Sequence, residues 1–370
     1  MTLHPDSVGA ATEERIYDYT IKVTPTKVGP ITIRAQIYID GTTTTHTSYR
    51  CDFITVPDFY DNFAYIENQQ TKQFVEIEDS STSTGAIIQQ GAFDGANNSR
   101  WTFELEWWGF FSIKSVHSNL YIGVDSSNTS LVKQYSNEND YTKWLFTETS
   151  NGSYTIQHKV IDNKVLAVPE NNGDGVNLTM VTYSNNNYYW DEWDIEIVLP
   201  LSGSEIPYNP SIWNNSTVMR GVNCYAYALN NQTYPNSNNL WYMNPGDSTG
   251  DIYWQHEITE ELILYKTSMD AINFGFEFNG IGKYATCSSG SYKVALVIDT
   301  GNDYHWYRQN SDGSWSHKRG QTAVINYDAS GEVIFDPENA DRYYPNVANY
   351  TVFVGFFEVT PLNNMYDFSQ

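Results

Sequence analysis

From about residue 17 to residue 56 apolar and polar side chains alternate, as in IYDYTIKVTPTKVGPITIRAQIYID, and Gly-Pro and Asp-Gly pairs break the runs. A period of two with turn residues at the breaks predicts about four short antiparallel strands, too few for an ordinary sandwich. Residues 1–56 are therefore expected to form a small β module, Ig-like or a truncated sandwich, with no chemistry of its own.

From 57 to 199 the pattern repeats three times. Tryptophan closes each unit, in Ser99-Arg100-Trp101-Thr102-Phe103, Thr142-Lys143-Trp144-Leu145-Phe146 and Asp191-Glu192-Trp193-Asp194-Ile195. Ahead of each stands a strand (FVEIED, LYIGVD, VLAVPE), then a polar turn and a second apolar strand. One such unit cannot bury its apolar face alone; three closing around a pseudo-threefold axis make a β-trefoil. Over this span the sequence resembles the ricin B-type lectin family, although none of its three boxes keeps the Gln of that family's Q-x-W. The resemblance implies sugar binding through an acid on an early strand, an aromatic platform and an Asn before the box. Repeat one offers Glu76, Phe93 and Asn98 at these stations, whereas Gly123 and Ala167 stand where repeats two and three would need the acid. In such a site carboxylate and amide bond vicinal hydroxyls while the ring covers the sugar's apolar face.

Residues 200–370 open with the Pro-containing linker LPLSGSEIPYNP, followed by a short helix at 224–229 and a helix-spaced run, EELILYKTSMDAINF. From Tyr292 onward strands are expected: YKVALVID, HWYRQ, SWSHK, TAVINYD, EVIFD and YTVFVGFFEV. Helices followed by an antiparallel sheet make an α+β domain. The whole chain then reads as a multidomain, mostly β protein of three parts.

Cys224 begins the short helix, where backbone amides favour thiolate. His305 opens a strand, and an Asp-Gly turn at Asp312-Gly313 brings His317 opposite position 307 or 308, on the face of His305 if the register allows. Cys224, Pro245-Gly246-Asp247, His305 and His317 together resemble the stations of the NlpC-type, papain-like cysteine peptidases. The bulky Trp306 and Tyr307 and the long interval between Cys224 and His305 depart from that pattern. The resemblance implies a Cys224 nucleophile, His305 as its base and an acyl-enzyme intermediate; His317, Asn326, Asp328 or Asp336 would orient the imidazole. The competing reading is a buried structural thiol among the packing residues of an apolar helix.

Charge narrows the partners. With 44 acidic against 20 basic residues the net charge is −24, which repels phosphate and excludes nucleic acid as a partner. Aromatic residues at 15% argue for packed domains rather than disorder. No apolar run is long enough for a membrane span, and no signal peptide is visible, although the composition suits a secreted protein. No cofactor or metal is required, though calcium would suit so acidic a chain; no EF-hand loop is present. The expected function is a glycan-targeted cysteine peptidase or amidase, with glycans or glycoconjugates and a peptide substrate as partners. The alternative is a non-enzymatic carbohydrate-binding adhesin or lectin-like toxin component, separable by whether thiol reactivity depends on His305.

Overall fold

A computed structural model describes residues 30–35, 49–54, 63–106, 109–125, 127–169, 173–183, 189–232, 243–250 and 253–362. The chain divides into two compact units, Met1–Thr55 and Val56–Gln370. In the first, strands Pro30–Ala35 and Tyr49–Ile54 pair antiparallel, from Pro30 opposite Ile54 to Ala35 opposite Tyr49. The other strands expected of this module, in residues 17–29 and 36–48, lie outside the described residues.

The second unit begins with twelve strands between Phe63 and Ile197, four to each repeat. The first and last strands of the three repeats form a closed ring. Phe63–Asn68 pairs with Trp101–Leu105, Phe111–Ser115 with Lys143–Glu148, and Tyr154–His158 with Trp193–Ile197; adjacent repeats pair in turn, and Trp193–Ile197 closes on Phe63–Asn68. The two middle strands of each repeat form hairpins against the ring. This is a β-trefoil-like barrel, and closure removes the exposed edges that an open sheet of short strands would leave. The three tryptophans are its pseudo-symmetric anchors. Each is 0% exposed, and each indole N–H donates to a carbonyl of its own repeat: Trp101 to Val75 O (2.9 Å), Trp144 to Ile122 O (3.0 Å) and Trp193 to Leu166 O (3.0 Å). A buried indole must satisfy its N–H, so its repeat fixes both volume and orientation.

The remaining chain forms a six-stranded antiparallel sheet among the described residues, in the order Phe278–Ile281, Val352–Val359, Tyr292–Asp299, Asp303–Gln309, Trp315–Lys318 and Val324–Ile325. Helices Ser216–Gly221, Cys224–Ala228 and Glu260–Phe274 precede all of its strands. The long helix starts where Thr259 caps Leu262 N and ends at Gly275, whose φ of +74° suits glycine. Val294, Leu296, Ile298, Tyr304 and Trp306 pack with the Cys224 helix, while Ala295, Val297, Tyr307 and Trp315 pack against Ile334, Tyr344 and Tyr350. Both faces are thus covered, which is why Tyr292–Ile298 is buried at every position instead of alternating.

Two expectations change. EVIFD is no strand: Val333 makes one isolated bridge to Tyr327, while Ile334 and Phe335 enter different apolar clusters. Divergent burial of neighbouring side chains anchors this segment without a ladder. The linker, too, is docked rather than loose. Leu199 is buried beside the sheet, its carbonyl accepts from Gln309 Nε2 (2.8 Å), and Ile206 bridges Asn310.

Trefoil and sheet share one interface, built on Tyr65, Phe74, Val198 and Phe335. Tyr65 Oη donates to Asp312 O and accepts from Arg100 Nε, both at 2.8 Å. Gly313 has a φ of +89° and lies where a Cβ would overlap Val198, so the Asp-Gly turn is set by docking as well as by hairpin geometry.

Candidate functional site

One cavity of about 630 Å³ opens at the start of the His305 strand, and both Cys224 and His305 line it. Cys224 is the first residue of its helix; Asn223 precedes it and caps Ala226 N with Oδ1 (3.1 Å). Asn223 Nδ2 and Tyr304 Oη both donate to Asn244 Oδ1, at 3.2 and 3.0 Å, which fixes the cavity rim around the thiol. The Cys224 thiol donates to Tyr304 O at 4.0 Å; no hydrogen bond links it to His305. Burial, with the Asp303 carboxylate adding to it, pushes the thiol up to about 12, against smaller opposing contributions from the amides of Trp306 and Tyr225. The expectation of a resting thiolate is therefore corrected: a helix of five residues offers little dipole, and desolvation outweighs it.

His305 and His317 meet as the hairpin register requires. His317 pairs with Tyr307, two positions along from His305 on the same face, and His305 Nε2 lies 2.7 Å from His317 Nδ1. His317 Nε2 lies 2.9 Å from Tyr327 O. A carbonyl only accepts, so His317 carries its proton on Nε2, and its Nδ1 lone pair accepts from His305 Nε2–H. His305 Nδ1 is left unprotonated, with no protein partner among the described residues. Burial, then the neighbouring His317 and the charge of Arg319, holds His305 well below the ordinary histidine range, and burial holds His317 down to about 4. Both rings are neutral near pH 7. Two of the other proposed orienters are engaged elsewhere: Asp328 caps the turn at Ser330, and Asp336 pairs with Lys283 (2.6 Å).

Pro245-Gly246-Asp247 forms the neighbouring wall. Asp270, 0% exposed on the long helix, accepts from Gly246 N (2.8 Å), Ser248 N (2.9 Å) and Tyr225 Oη (2.9 Å), tying wall, long helix and Cys224 helix together. Sequence reading missed Asp270, although an Asp in helical phase with Ile263 and Phe274 is the signal of a buried polar anchor. It also missed Asp303, which accepts from Tyr350 Oη (2.7 Å) and Tyr304 N (2.8 Å) inside the cavity.

The sugar stations are assembled only in part. Glu76 and Asn98 are neighbours in repeat one: Glu76 accepts from Gln89 Nε2 (2.8 Å), and Asn98 Nδ2 donates to Ile77 O (3.1 Å) while its Oδ1 is buried without a partner. Phe93 does not join them as a platform. Its ring packs against Tyr65, Phe74 and Phe335, with centroids 5.1, 5.2 and 5.4 Å apart, because the docked sheet needs an apolar contact there. Repeats one and two exchange sizes at this station. The Glu76 carboxyl lies where a Cβ on Gly91 would sit, whereas in repeat two the Tyr135 ring would be 2.9 Å from a Cβ on Gly123. Each of these two repeats fills its own cradle with one large side chain and one glycine.

Glu67, Asp194 and Glu196 form the one group of three metal-competent side chains found among the described residues, their carboxylate oxygens within 4.8 Å of one another. Lys72 Nζ reaches Glu67 at 3.3 Å, Glu332 of the sheet region at 3.7 Å and Asp194 at 3.8 Å. Burial raises Glu67 to about 7 and Glu196 to about 8. Raised carboxylates favour the fold in their protonated form, so this contribution is complete below pH 4.5 and is lost as pH rises through 7 to 8. Thermal unfolding followed by circular dichroism should show a melting temperature falling between pH 5.5 and 8.5, with a smaller fall in Glu196→Gln; an unchanged slope in that variant would remove the cluster as its cause.

The fold and these stations define a protein carrying a ricin-type, lectin-like β-trefoil. The family described as ricin-type beta-trefoil lectin domain-like matches residues 97–181. Insoluble matrix shell protein 1 of Ruditapes philippinarum is 34% identical over 155 residues, which cover 42% of this chain and 90% of that protein, and the chain belongs to its family. Among solved structures, the designed three-fold symmetric protein ThreeFoil is 24% identical, covering 36% of this chain and 98% of its own, with a TM-score of 0.34. The earthworm R-type lectin C-half in complex with GalNAc is 17% identical, covering 37% and 98%, with a TM-score of 0.30. The Rhizoctonia solani agglutinin is 18% identical, covering 38% and 96%, with a TM-score of 0.33.

Proposed function

We propose that the C-terminal region is a papain-like, NlpC-type thiol hydrolase acting on a peptide or amide bond, carried outside the cell by a glycan-directed trefoil. The observation that supports it is the relay Tyr327 O, His317, His305, which leaves a basic Nδ1 on a ring lining the cavity that also holds Cys224. In the reaction the Cys224 thiol turns from Tyr304 O and gives its proton to His305 Nδ1 as sulfur attacks the carbonyl carbon. The imidazolium then protonates the leaving amine; water, deprotonated by the same nitrogen, hydrolyses the thioester and returns the thiol. His317 holds the tautomer throughout. Since burial disfavours a resting thiolate, proton transfer accompanies attack rather than preceding it.

The test is intact-mass measurement after incubation with a peptidyl vinyl sulfone. One adduct on Cys224, absent in Cys224→Ala and formed at pH 5 nearly as fast as at pH 8 because His305 stays in its base form, is expected. Labelling of Cys287 at the same rate, or an inert Cys224, would overturn the hydrolase.

A second reading, glycan binding without turnover, is favoured by the ricin-type family match and by the pairing of Glu76 with Asn98. It predicts sugar binding weakened by Glu76→Ala with the thiol inert. An extracellular setting agrees with both the lectin family and the shell-matrix relative.

A further inference from the structure

In a chain of net charge −24, cations are scarce and mostly engaged. Lys72, Lys114, Lys133, Lys143, Lys159 and Lys283 all sit in ion pairs. Lys318, on the strand of His317, is spent on the carbonyls of Met219 (2.7 Å) and Gly320 (2.6 Å). Arg319, the next residue, differs. Among the described residues it is the one Lys or Arg lining the Cys224 cavity, its side chain makes no ion pair or hydrogen bond, and its Nε is buried without a partner. Its Cζ lies 4.2 Å from the centroid of the Tyr344 ring, so the guanidinium plane is held by stacking while its nitrogens remain uncommitted.

The two carboxylates of the same cavity do not neutralise it. Asp303 is occupied by Tyr350 Oη and Tyr304 N, and Asp247 accepts from Asn244 N (2.9 Å). Buried donors of a guanidinium cost free energy while unmet, and a planar fork of N–H groups matches a carboxylate bidentately. The charge also reaches the reacting end of the cavity, since Arg319 is among the groups that depress His305.

We infer that Arg319 is a specificity residue that receives a carboxylate of the substrate, so that the hydrolase of the preceding section acts on acidic rather than neutral or basic peptides. This rests on that reading for the chemistry but not for the binding. The carboxylate comes either from an Asp or Glu side chain or from a free C-terminus, and the two sources share the same recognition.

The two claims separate experimentally when binding is measured without turnover. Full-length Cys224→Ala protein is titrated by calorimetry with three peptides: Ac-Ala-Glu-Ala-NH2, Ac-Ala-Gln-Ala-NH2 and Ac-Ala-Gln-Ala-OH. One of the two carboxylate peptides should bind about tenfold or more tighter than the neutral amide. Tighter binding of the first assigns a side-chain carboxylate, and of the last a terminal one. The preference should vanish in Cys224→Ala/Arg319→Gln while the melting temperature stays within a degree or two; Cys224→Ala/Arg319→Lys, which keeps charge but not the fork, should restore it in part. Equal binding of all three peptides, or a preference that survives Arg319→Gln, overturns the assignment. Retained carboxylate preference with no cleavage of any peptide by the wild-type protein leaves Arg319 as a binding residue and overturns the hydrolase alone.

Discussion

His305→Ala should lower Cys224 adduct formation and peptide turnover by about 10²- to 10⁴-fold, the usual worth of a positioned general base. The expectation follows from the burial of the thiol. With Cys224 pushed up to about 12, almost no thiolate exists near neutrality, and reaction depends on an acceptor for the proton as sulfur attacks. His305 Nδ1 is that acceptor only while Nε2 carries the other proton, which His317 enforces. His317→Ala should therefore also slow the reaction, and it should move the acid limb of the pH profile upward, because His317 is one of the groups that depress His305. His317→Gln, which retains an acceptor, should recover part of the rate. The sign at the acid end is fixed. Both rings have lowered values, so the base form of His305 persists below the ordinary histidine pKa of about 6.5, and activity should hold to a lower pH than an unperturbed imidazole allows. A His305→Ala protein that labels Cys224 at the wild-type rate would end the proposal.

Trp144→Ala should cost about 3–5 kcal/mol, the range for deleting a fully buried aromatic ring, and lower the melting temperature by roughly 10 °C. The ring is 0% exposed at the centre of the trefoil, meets His158 edge-on at 5.1 Å and anchors Ile122 O. Removing it opens a cavity and leaves that carbonyl unpaired. Trp144→Phe keeps most of the apolar contact and loses the N–H, so its cost should be far smaller, about 1–3 kcal/mol. Differential scanning calorimetry reads both. Equal shifts for Ala and Phe would show that the hydrogen bond, not volume, carries the site. Because the trefoil shares Tyr65, Phe74 and Phe335 with the sheet, the loss should appear in the unfolding of both parts.

The sequence by itself determined what short-range rules govern. Three tryptophans at regular intervals dictated a threefold barrel because one repeat cannot bury its own face. The run EELILYKTSMDAINF reads directly as the Glu260–Phe274 helix. The Asp-Gly turn between alternating strands put His317 opposite position 307 or 308 and left the register open; in the fold a three-residue turn, Ser311 to Gly313, decides for Tyr307 and so brings His305 within reach. What tertiary structure alone decided depends on partners distant in the chain. Phe93 could have faced a sugar, and became an interface residue because Phe335 docks on it. Cys224 begins a helix, yet its proton is held by burial under a sheet formed some 80 residues later, in the way that desolvation outweighs a short helix's dipole. EVIFD alternates like a strand but is divided between two clusters. Arg319 gave no signal in a sequence with so few cations; only the cavity shows that its neighbours are paired and it is not. Periodicity and turns act over a few residues and are written locally, whereas burial, protonation and the pairing of charge are properties of the surroundings, which the chain acquires only by folding.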